Sequence, residues 1–252
     1  KPLLDGRNIE RYQINFTGTY LKYDLRAIHS SKRQDIFLTS GKLLFRRVGD
    51  RLIFCYDNQQ YYALNTLNVV NLKSDGPLLV QFLLTVLNSQ LCNWYFITFL
   101  KSTKDVFSEI QARQVARLPI PRIDFTTPAD ERAQAGAAAR SLYAVASPPG
   151  PLSTSGEEES ADDLLAFVDE CLAARNSQPF DKLRATPAPR SDVVHDLLAF
   201  LAEQMIETNK AKQSEMAGFL AWLEREMGAA VNDLAGKTTL QNYLGDYQKG
   251  GP

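Results

Sequence analysis

The chain has 252 residues, of which 44% are hydrophobic and 23% are charged, which is typical of globular proteins and excludes wholesale disorder. The formal net charge of −1 conceals an uneven distribution, since residues 1–125 carry 17 basic against 10 acidic side chains and residues 126–252 carry 11 against 19. The net charge is therefore +7 for residues 1–125 and −8 for residues 126–252. Only the first half has the positive charge expected of a surface that binds a polyanion.

Cysteine usage and the chain start bear on the cellular setting. Cys55, Cys92 and Cys171 are far apart and form no CxxC pair, which argues against a disulfide framework and favours a reducing, cytoplasmic location. The sequence begins Lys1-Pro2 without a signal core, so we interpret it as a fragment of a longer protein. The most apolar stretch, residues 77–100, is interrupted by amide side chains, so we predict a core helix and no membrane span.

The first half combines strand and helix signals. Residues 43–48 and 51–56 are β-prone runs around the polar Gly49-Asp50, which predicts a hairpin, and a third strand is predicted from Tyr61 to Leu72. A helix is predicted from Asp75-Gly76-Pro77, with Asp75 as a possible cap and Pro77 in the first turn, to about Leu100. A further helical segment at 107–117 should end at Leu118-Pro119-Ile120-Pro121.

The second half is almost entirely helical in pattern. Helices are predicted at 130–146, at 162–175 and from Ser191-Asp192 onward, with loops at about 147–160 and 178–190. The last helix carries an apolar stripe that is interrupted by the polar residues 208–214, which leaves open whether residues 191–228 form one helix or two. The sequence thus predicts an α+β fold, with a mixed α/β domain of residues 1–125 and a mostly helical domain of residues 126–252.

Catalytic and metal-binding patterns are absent from the sequence. The two histidines, His29 and His195, have no neighbour at metal-ligand spacing, and Gly236-Lys237-Thr238 lacks the upstream glycine of a phosphate-binding loop. No nucleophile elbow, zinc-protease or dinucleotide-binding motif occurs either. We therefore expect no catalytic residue, no metal and no cofactor in this chain.

Basic, amide and aromatic side chains are interleaved through the first half, Gln59 and Gln60 among them. Arginine and lysine neutralise phosphates, and arginine, asparagine and glutamine can pair with base edges in the major groove. Side chains alternate across a strand, so some of these residues could instead pair with Asp50 or Asp57 and serve only the fold. Arg46 and Arg47 lead the candidate DNA contacts. The full set is Lys22, Arg26, Lys32, Arg33, Lys42, Arg46, Arg47, Arg51, Asn58, Tyr61, Tyr62 and Asn65.

Four stretches, in this order, resemble the TaqI-like C-terminal specificity domains of type IIG restriction-modification enzymes and related adenine-specific DNA methyltransferases. The resemblance spans roughly residues 1–125 and depends on the order and spacing of the stretches. They are Lys1-Pro2-Leu3-Leu4-Asp5-Gly6-Arg7-Asn8-Ile9 with Tyr12, Lys42-Leu43-Leu44-Phe45-Arg46-Arg47-Val48-Gly49, Tyr61-Tyr62-Ala63-Leu64-Asn65-Thr66-Leu67, and residues 83–91 with Leu118-Pro119-Ile120-Pro121.

This resemblance implies a target-recognition domain that binds double-stranded DNA. It also implies a catalytic methyltransferase or nuclease region elsewhere in the same parent chain, where S-adenosylmethionine would be the cofactor. The family's Asn/Asp-Pro-Pro-Tyr/Phe motif for adenine methylation is absent from this sequence. The fragment is therefore expected to recognise DNA without methylating or cutting it, as part of a parent enzyme with or without endonuclease activity.

A second hypothesis comes from the helical half. Its charge balance of −8 and long apolar stripe suit a protein-interaction module that binds a partner subunit without recognising DNA, because acidic helices repel DNA. The two hypotheses are compatible, and the sequence leaves both open.

Overall fold

The computed structural model describes residues 1–28, 32–73, 76–101, 109–146, 156–173 and 189–230. Strands cluster in the first part of the chain and helices dominate the rest, which confirms the α+β class. His29, Asp75, most of the 178–190 loop and Gly236-Lys237-Thr238 lie outside the described residues.

A three-stranded antiparallel sheet forms the centre of the first part. Its strands are β4 (Lys42–Arg46), β5 (Phe54–Asp57) and β7 (Leu67–Val70), in the order β5-β4-β7. β4 and β5 pair with Lys42 opposite Asp57 and Phe45 opposite Phe54, which confirms the predicted hairpin with shorter strands. The third predicted strand is wrong as a single element, because β6 (Tyr62–Ala63) and β7 are separated by a turn at Asn65 and Thr66.

Four short strands join this sheet to the chain start. β1 (Leu3–Leu4) pairs in parallel with β6, and β2 (Ile9–Glu10) forms an antiparallel hairpin with β3 (Gln13–Ile14). Burial of apolar surface stabilises such short strands, each too short to persist alone. The cluster that they bury consists of Leu4, Ile9, Leu44, Cys55 and Leu67.

The predicted helix of residues 76–100 is three elements. α2 (Val80–Asn88) and α3 (Gln90–Tyr95) are separated at Ser89, whose extended backbone breaks the first helix and whose side chain accepts a hydrogen bond from the Cys92 N–H at 3.1 Å to start the second. A π-helical turn, Phe96–Leu100, follows. The predicted start is also wrong, because α2 begins at Val80, after Pro77.

Two single-turn helices complete the first part, α1 (Asp35–Leu38) and α4 (Ala112–Val115). The backbone carbonyls of α1 accept hydrogen bonds from three strand-side residues: Ile36 from Asn71 (3.1 Å), Phe37 from Lys42 (2.7 Å) and Leu38 from Gln60 (2.7 Å). The last carbonyls of a helix have no hydrogen-bond partner within the helix, and these side chains supply the missing donors. They also fix α1 beside the start of β4.

Three longer helices follow: α5 (Ala129–Ala146), α6 (Gly156–Leu172) and α7 (Ser191–Met227). The loop predicted at 147–160 is too long, because residues 156–160 already belong to α6. Residues 191–227 form one continuous helix, which answers the question that the sequence left open. Ala135, Cys171 and Val193 form the buried contact of the three helices.

The first turns of α7 pack on α2 and on the segment before α5. His195 is buried between the rings of Phe82 and Phe125, with centroids 4.7 and 5.1 Å away. The Thr85 hydroxyl donates to the Leu198 carbonyl at 2.8 Å. Buried Asp192 accepts hydrogen bonds from the Thr127 N–H (2.9 Å) and hydroxyl (2.7 Å).

By its internal contacts the chain divides into residues 1–204 and residues 205–252. The domain boundary predicted near residue 125 stays a prediction. Among the described residues, no helix combines the length and the hydrophobicity that crossing a membrane requires.

Candidate nucleic-acid interface

The candidate DNA contacts on the β4–β5 hairpin lie at its two opposite ends. Lys42, Asn58, Tyr61 and Tyr62 lie where β4 begins and β5 ends, whereas Arg46, Arg47 and Arg51 lie where β4 ends. Asn65 joins the second group, because its carbonyl accepts a hydrogen bond from Arg47 at 3.2 Å. At about 3.3 Å per strand residue, the four steps of β4 from Lys42 to Arg46 place these two residues roughly 13 Å apart.

Two of the candidates have no surface to offer DNA. The Lys42 side chain is fully buried, and its Nζ lies 2.5 Å from the equally buried Asp57 carboxylate. Tyr62 is 2% exposed and stacks on Phe37 with ring centroids 4.8 Å apart. β4 is almost continuously apolar and is covered on both faces, so its lysine is buried together with its neighbours. Lys42 therefore serves the fold through its ion pair with Asp57, which is the alternative to DNA contact that the sequence left open.

The arginines at the end of β4 are engaged within the protein. Arg46 donates to the Ile9 carbonyl and lies 3.2 Å from the Glu10 carboxylate. Arg47 forms an ion pair with Glu109. These bonds engage part of each guanidinium inside the protein, and the role of Arg46 and Arg47 as leading DNA contacts stays a prediction. Arg51 is exposed and forms no ion pair with a described residue.

The other end of the hairpin carries a turn of three consecutive exposed amides, Asn58, Gln59 and Gln60, which we call the amide turn. Asp57 holds it: one carboxylate oxygen accepts the Gln59 N–H at 2.8 Å and the other accepts the Tyr61 N–H at 3.0 Å. Gln60 has a positive φ of 57°, which is uncommon for a residue other than glycine. The carboxylate that anchors the turn is the one paired with Lys42.

Exposed basic residues lie on two segments, one hydrogen-bonded to the amide turn and the other in contact with Tyr62, two residues beyond the turn. Lys32 and Arg33 directly precede α1, whose Leu38 carbonyl accepts the hydrogen bond from Gln60. Lys22 and Arg26 lie on the segment whose Tyr23 ring contacts Tyr62, with centroids 5.0 Å apart. Arg33 lowers the pKa of Asp35 through a hydrogen bond between their exposed side chains. Lys22, Arg26 and Lys32 form no ion pair within the described part of the chain.

Exposed aromatic surface adjoins the same end. Tyr20 is 69% exposed and packs edge-on against Phe16, which in turn contacts Tyr61. Tyr20 was not among the contacts predicted from the sequence, and neither were Gln59 and Gln60, although both amides were noted there. The signal that could have identified the amide turn is the run of consecutive amides, Asn58, Gln59 and Gln60, in the short connection between β5 and β6.

The contacts of His195 are to other residues of the fold. Its Nε2 accepts a hydrogen bond from the Leu79 N–H at 3.0 Å, and its Nδ1 faces the Asp196 carboxylate at 2.9 Å. Burial lowers the pKa of His195. Among the described residues, no group of three His, Cys, Asp or Glu side chains is placed to hold a metal ion.

Comparison with protein families matches residues 1–120 to the family described as the TaqI-like C-terminal specificity domain. This match confirms the resemblance that the sequence predicted, and it covers the whole hairpin, both groups of candidate contacts and α4. No curated protein matches the chain.

Proposed function

We infer, from the match of residues 1–120 to the TaqI-like C-terminal specificity domain, that this chain recognises a target sequence in double-stranded DNA on behalf of a restriction-modification enzyme or DNA methyltransferase. The observation that supports this function is the grouping of exposed cations and exposed amides at one end of the β4–β5 hairpin. A DNA-reading surface needs both kinds of group, since phosphate contacts position the protein and base contacts specify the sequence.

Lys22, Arg26, Lys32 and Arg33 are proposed as the phosphate contacts. All four are exposed, so a phosphate can reach them while they keep part of their hydration, and each phosphate that they neutralise releases condensed counterions. Arg51 and Asn65 remain proposed contacts of lower rank because they lie at the far end of the hairpin.

The catalytic chemistry is proposed for a region outside this sequence. That region would supply S-adenosylmethionine-dependent methyl transfer to adenine, with or without endonuclease activity. The sequence of this chain lacks the adenine-methylation motif of that region. The three cysteines are buried free thiols, which supports a cytoplasmic setting for the parent enzyme.

The test is binding of the chain to a randomised duplex library at two salt concentrations, with sequencing of the retained DNA. We expect an enriched motif and an affinity that falls with salt. In the variant K22A/R26A/K32A the slope of log affinity against log salt should become shallower by about 0.9 for each phosphate contact removed. The matched control K210A/K212A/R225A removes the same charge from α7 and should keep the slope of the unmodified chain.

Each outcome bears on the proposal. Equal slopes for the two triple variants would move the phosphate contacts away from this end of the hairpin. Absence of salt-sensitive binding by the unmodified chain would overturn the DNA-recognition function and favour the helical interaction module.

A further inference from the structure

We propose that the amide turn reads an adenine base in the major groove. The inference rests on the proposed DNA-recognition function and adds to it the reading element and the base. Asparagine and glutamine side chains each carry a donor and an acceptor, the pattern that matches the N7 acceptor and N6 amino donor of adenine.

The amide groups are arranged as a connected pair with free functions. The Gln59 Nε2 donates to the Asn58 Oδ1 at 3.1 Å, which ties the two amides together. Gln59 keeps its Oε1 acceptor and a second Nε2 hydrogen, so its amide alone can pair with adenine N7 and N6. Both residues are exposed, so a base edge can reach the pair.

The turn is fixed before any DNA arrives. Asp57, which holds the turn through two backbone N–H groups, is itself buried and paired with Lys42. Gln60 ties the other side of the turn to the Leu38 carbonyl at 2.7 Å. A reading element that is already ordered loses less conformational freedom on binding and discriminates between bases more sharply.

The surroundings favour this turn over the other end of the hairpin. Lys32 and Arg33 precede α1, whose Leu38 carbonyl accepts the hydrogen bond from Gln60, so cations for phosphate contact lie on a segment that is bonded to the turn. Arg46 and Arg47 at the far end are bonded to the Ile9 carbonyl and to Glu109. The surface that is both open and fixed is therefore the amide turn.

The experiment repeats the duplex selection with the full chain and four variants. Asn58→Ala and Gln59→Ala remove one amide each, Gln59→Arg offers guanine a matching donor pair, and Gln134→Ala is the control, because Gln134 is an exposed amide on α5. We expect the two truncations to weaken binding to the selected duplex about tenfold and to change binding to a scrambled duplex by less than about twofold. Gln59→Arg should move one enriched adenine toward guanine.

The outcomes separate the inference from the function on which it depends. Loss of preference at an adenine position in the truncated variants, with the control unchanged, supports the inference. A motif that all three turn variants retain at the strength of the control overturns the inference and leaves the DNA-recognition function standing. Failure of the unmodified chain to enrich any motif overturns both.

Discussion

The buried ion pair of Lys42 and Asp57 is the residue-level feature on which the candidate interface depends. Both side chains are fully buried and the charged atoms are 2.5 Å apart. Every polar partner of the pair is internal: the Phe37 carbonyl accepts from Lys42, and two backbone N–H groups donate to Asp57. Such a pair is costly to break because either partner alone leaves a buried, uncompensated charge.

We expect Lys42→Met to destabilise the chain by about 3–5 kcal/mol, since it leaves Asp57 charged and buried without its cation. The double variant K42M/D57L removes both charges and should be closer in stability to the unmodified chain than Lys42→Met is. The measurement is the free energy of unfolding in urea. Lys73→Met, at an exposed lysine, serves as control and should change stability by less than about 0.5 kcal/mol.

The single variant Asp57→Leu completes the comparison, and a double variant as unstable as the sum of Lys42→Met and Asp57→Leu would contradict this explanation. It would mean that Lys42 and Asp57 contribute independently through packing, since coupled charges give non-additive changes.

At the scale of elements, Asn88 joins α2 to the outer strand of the sheet. Its Oδ1 accepts the Phe54 N–H and its Nδ2 donates to the Phe54 carbonyl, both at 3.0 Å. The buried amide thus pairs with the edge strand β5 as a neighbouring strand would, which protects that edge from other chains. Asn88 lies within residues 83–91, one of the stretches that resemble the family. Its two hydrogen bonds to Phe54 give a structural reason for an asparagine at this position.

Asn88→Leu should cost about 1–3 kcal/mol of unfolding free energy, because the buried Phe54 N–H loses its acceptor, whereas the Phe54 carbonyl still accepts a hydrogen bond from the Tyr12 N–H at 3.1 Å. The control is Asn68→Leu on β7, a half-buried asparagine. Thermal and urea unfolding of both variants give the comparison. An equal loss in the two variants would indicate that the Asn88 hydrogen bonds contribute nothing beyond packing.

His195 joins α7 to α2 and makes stability depend on pH. Its Nε2 must be unprotonated to accept from the Leu79 N–H, and burial lowers the pKa of the ring. The facing charged groups are Asp196, Arg132 and Asp192, and the Arg132–Asp196 ion pair engages the carboxylate next to the ring. Protonation in the folded state is therefore less favourable than in the unfolded chain.

Below a pH of about 6.5, the ordinary pKa of histidine, the unfolded chain binds a proton that the folded chain excludes. Stability should therefore fall as the pH drops from about 6.5 toward the lower folded-state pKa, with a slope of at most about 1.4 kcal/mol per pH unit. Urea unfolding between about pH 5 and 8 measures it. His195→Gln keeps an acceptor for Leu79 without titrating, so its profile should be flatter over that range, and an unchanged slope would assign the effect elsewhere.

At the scale of the whole molecule, local sequence patterns predicted much of the fold. The β-prone runs around Gly49-Asp50 identified the hairpin, and the apolar stripe identified α7. Local patterns did not predict the helix break at Ser89. The apolar run continues through this position, but the Ser89 side chain caps a new helix there and so ends the preceding one. The early start of α6 at Gly156 was missed because a Ser- and Glu-rich composition is also typical of loops.

The candidate interface was less predictable than the fold, because composition identifies residue types and not their partners. In the sequence, Lys42 and Arg47 carry the same positive charge as Lys22. Only long-range packing pairs Lys42 with Asp57 on the next strand and Arg47 with Glu109, 62 positions away. A basic side chain near a strand end is thus equally compatible with a fold contact and with a ligand contact until its neighbours are known.

The extent of the folded unit can be tested by truncation. Every fully buried side chain of the described residues lies at or before Ala202, and residues 1–204 form one unit by their internal contacts. A chain ending at Gln204 should therefore unfold cooperatively, with a midpoint within a few degrees of the full chain. A chain ending at Phe125 loses the partners of Leu79 and Thr85, namely His195 and Leu198, and exposes the Phe82 ring.

We expect the shorter fragment to be less stable by several kcal/mol, since it loses buried apolar contacts and leaves the Leu79 N–H without its acceptor. Calorimetry of both truncations, with far-ultraviolet circular dichroism as the check on folding, measures the difference. If the chain ending at Phe125 unfolds at the temperature of the longer one, residues 1–125 are an autonomous domain, as their composition predicts, and the packing of α7 on α2 is dispensable for the recognition surface.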